Sequence, residues 1–313
     1  VRNYMEYVEF GCNKTKVSKV VLGCMRIQQL GTQGVCSLLD TALDCGINFI
    51  DTADCYSNGQ SEELLGDAFT HNPNFRETFF LQSKCGIRID SDFVSYDFTK
   101  DYIISCVENS LKRLKTDHLD CLLLHRPDAL MEPSEIGEAF NSLKASGKVL
   151  NFGVSNMNPM QMKLLQSGLD CELVANQVQM SVCHTRMIDS GFNVNMDNDP
   201  SIMRDGGILE YCRLNHMVVQ AWSVLQYGFF KGVFVGSPLY LKLNSVLDRI
   251  ASSRNVSASA VAIAWVLRYP GLMQAVIGTT KQNRVIECSK ACDVHLTHKE
   301  WYEIYLAAGN SLP

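Results

Sequence analysis

Four side chains of complementary acid–base character stand within the first half of the chain: Asp51, Tyr56, Lys84 and His125. Each alone says little, since an Asp often caps the next helix and a lone Lys or His is usually solvated or a satisfied structural residue. Together they can handle a proton. A phenol titrates near ~10 and is a reluctant acid at neutral pH, but an ammonium beside it favours the phenolate and eases proton donation. Lys84 can do this for Tyr56, Asp51 can hold Lys84 charged and oriented, and a neutral His125 can hydrogen-bond an oxygen and fix its direction. Reduction of a carbonyl by hydride has these needs, because charge gathers on the oxygen and must be met by a proton.

The elements that must position these groups follow from the hydrophobic pattern. Short apolar or β-branched runs predict strands at 17–23, 48–51, 78–84, 119–125, 150–155, 172–177, 217–222 and 273–278. Helical patterns fall between them at 35–45, 61–70, 100–115, 133–145, 159–167, 208–214, 257–268 and 281–291, with Thr99, Asn158 and Ser257 as expected caps. Runs such as VVLG, LLLH and AVIG read as strands buried on both faces. Eight strand–helix units predict an α/β fold, a (β/α)8 TIM barrel forming one domain over residues 1–313. An open doubly wound sheet would call for a GxGxxG turn after an early strand, and LGCMRIQQLG lacks it. An N-terminal hairpin (6–18), an inserted helix (240–254) and a C-terminal helix (299–308) lie outside the repeat. In such a barrel Asp51, Lys84 and His125 end the second, third and fourth strands, and Tyr56 follows the second, all on the face where sites of this fold assemble.

Composition narrows the function classes. No apolar run approaches the ~20 residues of a membrane helix, and the N-terminal VRNYMEYVEFGCNKTK lacks the apolar stretch of an export signal, so no membrane partner and a cytoplasmic location are expected. A net charge of −5 without a basic cluster argues against nucleic acid. The thirteen cysteines are scattered through apolar segments without a CxxC pair, as reduced core thiols are. His184 with Cys183, or Asp54 with Asp128 and His125, lacks a diagnostic metal spacing, and no metal is expected. Cys24 and Cys55 flank the site in sequence.

The segments GINFIDTADCYSNGQSEELLG, LQSKCG, LLLHRPD, NFGVSN, ANQVQ and QAWSVLQYG resemble, in order, the motifs of aldo-keto reductases, over about residues 16–306. Within that family the LHRPD segment is similar to a bacterial subgroup. The resemblance implies a catalytic tetrad of Asp51, Tyr56, Lys84 and His125, an NADPH/NADP+ cofactor and a small carbonyl substrate. It implies that Ser155, Asn156 and Gln177 hold the nicotinamide carboxamide, that Trp222 stacks on the ring where relatives often have Tyr, and that Gly23, Met25 and Arg26, with Asp51, floor that pocket. Ser223, Leu225 and Gly228 would wrap the pyrophosphate. Gly278, Thr279, Thr280 and Arg284 would receive the extra phosphate at a helix start, and Glu287 the adenine amine. Many relatives have Lys at Gly278 and Asn at Cys288; Lys281 can replace the first.

The loop containing Arg186, Asp189 and GFNVNMDNDPSI, and the segment Tyr227–Tyr240, are expected to face substrate. Phe229, Phe230, Phe234 and Tyr240 suit a pocket lining, core packing or an interface about equally. The competing function is an NADPH-binding regulatory or redox-sensing protein with little turnover, which fold alone does not separate from an enzyme.

Overall fold

A computed structural model describes residues 5–91 and 93–313. Eight parallel strands close into a barrel in chain order: β1 (Val20–Gly23), β2 (Phe49–Asp51), β3 (Phe80–Cys85), β4 (Leu119–Leu124), β5 (Val149–Ser155), β6 (Leu173–Gln179), β7 (Val218–Trp222) and β8 (Met273–Ile277). Each is almost wholly buried, because side chains fill the inside and helices cover the outside. The covering helices are α1 (Gly31–Asp44), α2 (Gln60–His71), α3 (Lys100–Leu114), α4 (Pro133–Ala145), α5 (Pro159–Gln166), α6 (Ile208–Leu214), α7 (Ala258–Leu267) and α8 (Gln282–Ser289). The barrel expected from the alternating pattern is therefore the observed one.

Local chemistry explains several boundaries. Asn158 and Gln161 form a reciprocal capping box that starts α5, and the Ser257 hydroxyl accepts from the Ala260 N–H to start α7. Thr99 occupies the cap position of α3, yet its hydroxyl donates to Asp97 (2.7 Å) instead of capping. Gly66 lets α2 meet α3 closely, since a Cβ there would lie 2.1 Å from the Arg113 carbonyl oxygen.

The run at 17–23 expected as one strand is two. Thr15–Ser18 pairs antiparallel with Tyr7–Phe10 as the N-terminal hairpin, while Val20–Gly23 enters the barrel. The hairpin plugs the barrel floor: Phe10 meets Phe49 and Phe80 edge-on, with ring centroids 5.5 and 5.1 Å away, and Phe49 stacks on Phe80 at 4.8 Å. A second hairpin, Ile87–Asp90 with Phe93–Tyr96, rises from the loop after β3 and was not expected. The extra helices Leu241–Arg254 and His298–Ala307 match expectation, whereas the loop after β6 unexpectedly carries a helix at Arg186–Phe192. There Asp189 is buried and accepts from the Tyr305 hydroxyl (2.8 Å), and Arg186 pairs with Asp199. That loop is thus tied to the C-terminal helix, and Arg186 and Asp189, expected to face substrate, are taken up by these contacts instead.

Candidate active site

Strand register converts distant sequence positions into neighbours. Asp51 at the end of β2 sits beside Gln82 of β3, and Lys84, two residues further along β3, projects from the same face one step higher. The fully buried Lys84 ammonium donates to Asp51 Oδ2 (2.7 Å), to the Thr52 carbonyl (2.7 Å) and to the Tyr56 hydroxyl (3.2 Å). His125 follows β4, and its ring meets the Tyr56 ring edge-on with centroids 5.7 Å apart. The four residues picked out by type and spacing therefore do converge. Lys84 stands behind Tyr56 without lining the cleft itself.

Charge and burial set the protonation states. Burial works to lower the pKa of Lys84, but Asp51 and Tyr56 hold it above the usual lysine value, so Lys84 is a fixed cation. Burial, then the cations Lys84 and Arg126, push His125 well below the usual imidazole range, so the ring is neutral at neutral pH. Burial is also the largest influence on Tyr56 and raises its phenol, with Lys84 opposing it. Lys84 favours the phenolate as expected, but burial, which the sequence does not show, outweighs it and leaves the phenol raised overall. The hydroxyl stays protonated, with a cation placed to stabilise the phenolate once its proton has left.

Asp51 is anchored from below by amides. Gln82 and Gln177 donate to its Oδ1 (2.7 and 3.0 Å), both donate to Gln220 Oε1, Gln220 donates to Gln274, and Gln274 donates to the Ser18 carbonyl (2.8 Å). Gln82, Gln220 and Gln274 are fully buried and were missed by sequence reasoning. For Gln220 and Gln274 the signal was a lone glutamine inside an otherwise apolar strand run, whereas Gln82 sits beside Ser83 and Lys84 in a run that is already polar.

A cleft of about 1050 Å³ opens above this layer. It is lined by Gly23, Met25, Arg26, Asp51, Tyr56 and His125 on one side, by Ser155, Asn156, Gln177, Trp222, Ser223 and Leu225 on another, and by Gly278, Thr279, Arg284 and Glu287 at its far end. Two expected residues, Gly228 and Thr280, are not among the lining groups. Gly228 lies in a loop that closes on itself through the Tyr227 N–H to the Gly232 carbonyl (3.1 Å), which turns Phe229 and Phe230 toward the cleft instead. Phe234 is wholly buried in the core, and the half-buried Tyr240 packs against it. Residues that went unforeseen include Ile87, Val94 and Tyr96 of the second hairpin and Arg126, whose guanidinium lies 5.6 Å from the Trp222 ring centroid. Position alone could have flagged Arg126, since it directly follows His125.

Two non-glycine residues just past strand ends, Asn156 (φ 57°) and Ser223 (φ 55°), hold left-handed backbone conformations. Such strain persists where surroundings over-determine it, as functional clefts do. Asn156 is fixed by donating to Ser155 Oγ (2.7 Å) and accepting from the Trp222 indole (3.2 Å). At the far end Gly278 has open space where a Cβ would stand, next to the start of α8. All thirteen cysteines are unpaired, Cys24 is buried off the cleft and Cys55 lines it. Among the described residues no cluster of His, Cys, Asp or Glu could hold a metal, and no single helix is long and apolar enough to cross a membrane.

The model of the Aldo/keto reductase family matches residues 19–306. A 6-dehydroglucose reductase of Agrobacterium fabrum is 35% identical over 95% of this chain and 96% of its own length, and the oxidoreductase YdhF of Escherichia coli is 35% identical over 93% of each. A solved aldo-keto reductase from Klebsiella pneumoniae, in complex with NADPH, is 26% identical with a TM-score of 0.76, covering 96% of this chain and 94% of the other.

Proposed function

The chain belongs to the aldo/keto reductase family, and on that premise we propose that it is an NADPH-dependent reductase of aldehydes or ketones in which Tyr56 is the proton donor. The observation that carries this reading is Tyr56 standing 3.2 Å from a buried, Asp51-paired ammonium at the wall of a cleft large enough for a dinucleotide and a small carbonyl.

The residues fit the cofactor. Gly278 borders open space four residues before the start of α8, and Arg284 lies in that helix's first turn, an arrangement that suits a phosphate. Ser155, Asn156 and Gln177 offer hydroxyl and amide groups for a carboxamide, and Trp222 offers a broad aromatic face. When bound, the reduced nicotinamide supplies the hydride.

The chain's own groups supply the rest. Neutral His125 donates a hydrogen bond to the carbonyl oxygen and turns it toward Tyr56. The Tyr56 hydroxyl gives its proton to that oxygen as negative charge develops, while Lys84 stabilises the phenolate left behind and Asp51 keeps Lys84 in place. Phe229, Phe230 and Trp222 give the cleft an apolar wall beside the reacting group. With thirteen unpaired thiols, a cytoplasmic location is the compartment the reading favours.

The test is to titrate the purified protein with NADPH while following tryptophan emission, then to assay NADPH oxidation against a panel of aldehydes, ketones and dicarbonyls. Quenching plus turnover is expected. Quenching without turnover on any member would replace the enzyme by a cofactor-binding regulator, and no quenching would remove the cofactor.

A further inference from the structure

Cys55 directly precedes Tyr56 on the loop after β2, lines the cleft, and brings its Sγ to 3.6 Å from His125 Nδ1. Among the described residues this is the one hydrogen-bonding contact the imidazole ring makes. Its backbone is held separately: the His125 N–H donates to the Cys85 carbonyl (2.9 Å), and its carbonyl accepts from Asn156. The ring's backbone attachment is therefore rigid, while the state of its two nitrogens depends on what faces each of them.

A neutral imidazole carries one N–H, on either nitrogen. A carbonyl oxygen only accepts, so the nitrogen turned to substrate must be the one that bears the proton. If Nδ1 bore it, a lone pair on Nε2 would face the oxygen lone pairs and the contact would be repulsive. The ring therefore needs a donor at Nδ1, and a thiol that keeps its proton is one. Burial, with Asp54 adding to it, pushes the Cys55 thiol up to about 12, so it carries S–H throughout the neutral range.

We propose that Cys55 is a positioning residue for carbonyl reduction: its S–H donates to His125 Nδ1 and fixes the Nε2–H tautomer that the substrate oxygen requires. This rests on the reading of His125 as the group that orients the carbonyl. No proton leaves Cys55 during the reaction, and the thiol acts only through His125. A serine hydroxyl also donates but reaches less far than a thiol, so it makes the contact only if the loop draws closer and takes over the role in part; an alanine cannot.

The test combines long-range proton–nitrogen NMR of protein labelled with ¹⁵N-histidine, in which His125→Gln assigns the resonance, with steady-state kinetics. In the unmodified protein His125 should show Nδ1 without a proton and Nε2 with one. Cys55→Ala should mix the two tautomers and lower kcat by about 10-fold, the scale at which losing a partner that orients a histidine is felt. NADPH affinity and melting temperature should stay unchanged. Cys55→Ser should fall between Cys55→Ala and the unmodified protein in both readouts, with tautomer and kcat moving together. A protonated Nδ1 in the unmodified protein, or a fall in kcat for Cys55→Ala with unaltered His125 signals, would overturn the proposal. Failure of the underlying reading looks different: His125→Gln would then keep full turnover.

Discussion

The two ends of the barrel are built from the same eight strands and obey opposite rules. The floor is apolar and closed, with Phe10 of the hairpin wedged against Phe49 and Phe80. The mouth is polar and open, with a buried ion pair, left-handed backbone at Asn156 and Ser223, and aromatics such as Phe229 left half in water. Between them lies the glutamine layer, which joins Ser18 of the hairpin to Asp51 by an unbroken chain of hydrogen bonds. Aromatic packing marks one end and ionisable groups the other, and the amides connect the two by hydrogen bonds.

Substitutions can break that division. Lys84→Met should do the greatest damage, because it strikes the one mouth residue that serves both purposes. It leaves the Asp51 carboxylate buried without its cation, at a cost of about 3–5 kcal/mol, and lowers kcat by about 10²–10⁴-fold. Denaturant melts and turnover of the same preparation would both register it. Phe10→Ala should cost about 3–5 kcal/mol through the cavity left in the floor, while the activity of the remaining folded molecules stays near normal. A loss of activity larger than the folded fraction explains would mean that the floor does more than hold.

Gln220→Leu probes the layer between. Stranding the amides of Gln82, Gln177 and Gln274 should cost about 1–3 kcal/mol, and the account expects a modest fall in kcat as Asp51 loosens. If stability fell and kcat did not, the layer would be scaffold alone. The smallest effect concerns Asp54, on the loop between β2 and Tyr56, whose Oδ1 is buried without a partner. Burial, then Glu62, raises its carboxyl to about 7 in the folded protein. The folded state thus holds this proton more tightly than the unfolded chain. The stability linked to it is complete below the ordinary Asp pKa of about 4 and is lost as pH rises through about 7. Melting temperatures measured across that window should fall less steeply for Asp54→Asn than for the unmodified protein.

The sequence carried most of the frame, for a physical reason: strands buried on both faces leave apolar runs such as LLLH, and a polar group ending one is conspicuous. Asp51, Lys84 and His125 stood out in that way. The break at Lys19 did not, because the hairpin strand and the barrel strand on either side are both β-branched and only three-dimensional closure separates them. The second hairpin was legible in IRID and FVSY, two short runs two residues apart, but it lies outside the eight-fold repeat and was passed over. Gln220 could be seen, whereas its bonds to Gln82 and Gln177 across and along the barrel could not, since register and closure decide them. Burial of Tyr56, which reverses the net shift expected from Lys84, is likewise a property of the assembled cleft.

The central claim is that Tyr56 delivers the proton from a cleft whose cofactor grip does not depend on it. The most direct measurement is kcat for Tyr56→Phe on a carbonyl the unmodified protein reduces, alongside NADPH affinity from tryptophan quenching. The account predicts a kcat lower by about 10²–10⁴-fold with affinity unchanged. An unchanged kcat would contradict it, and would move the proton donor to another group.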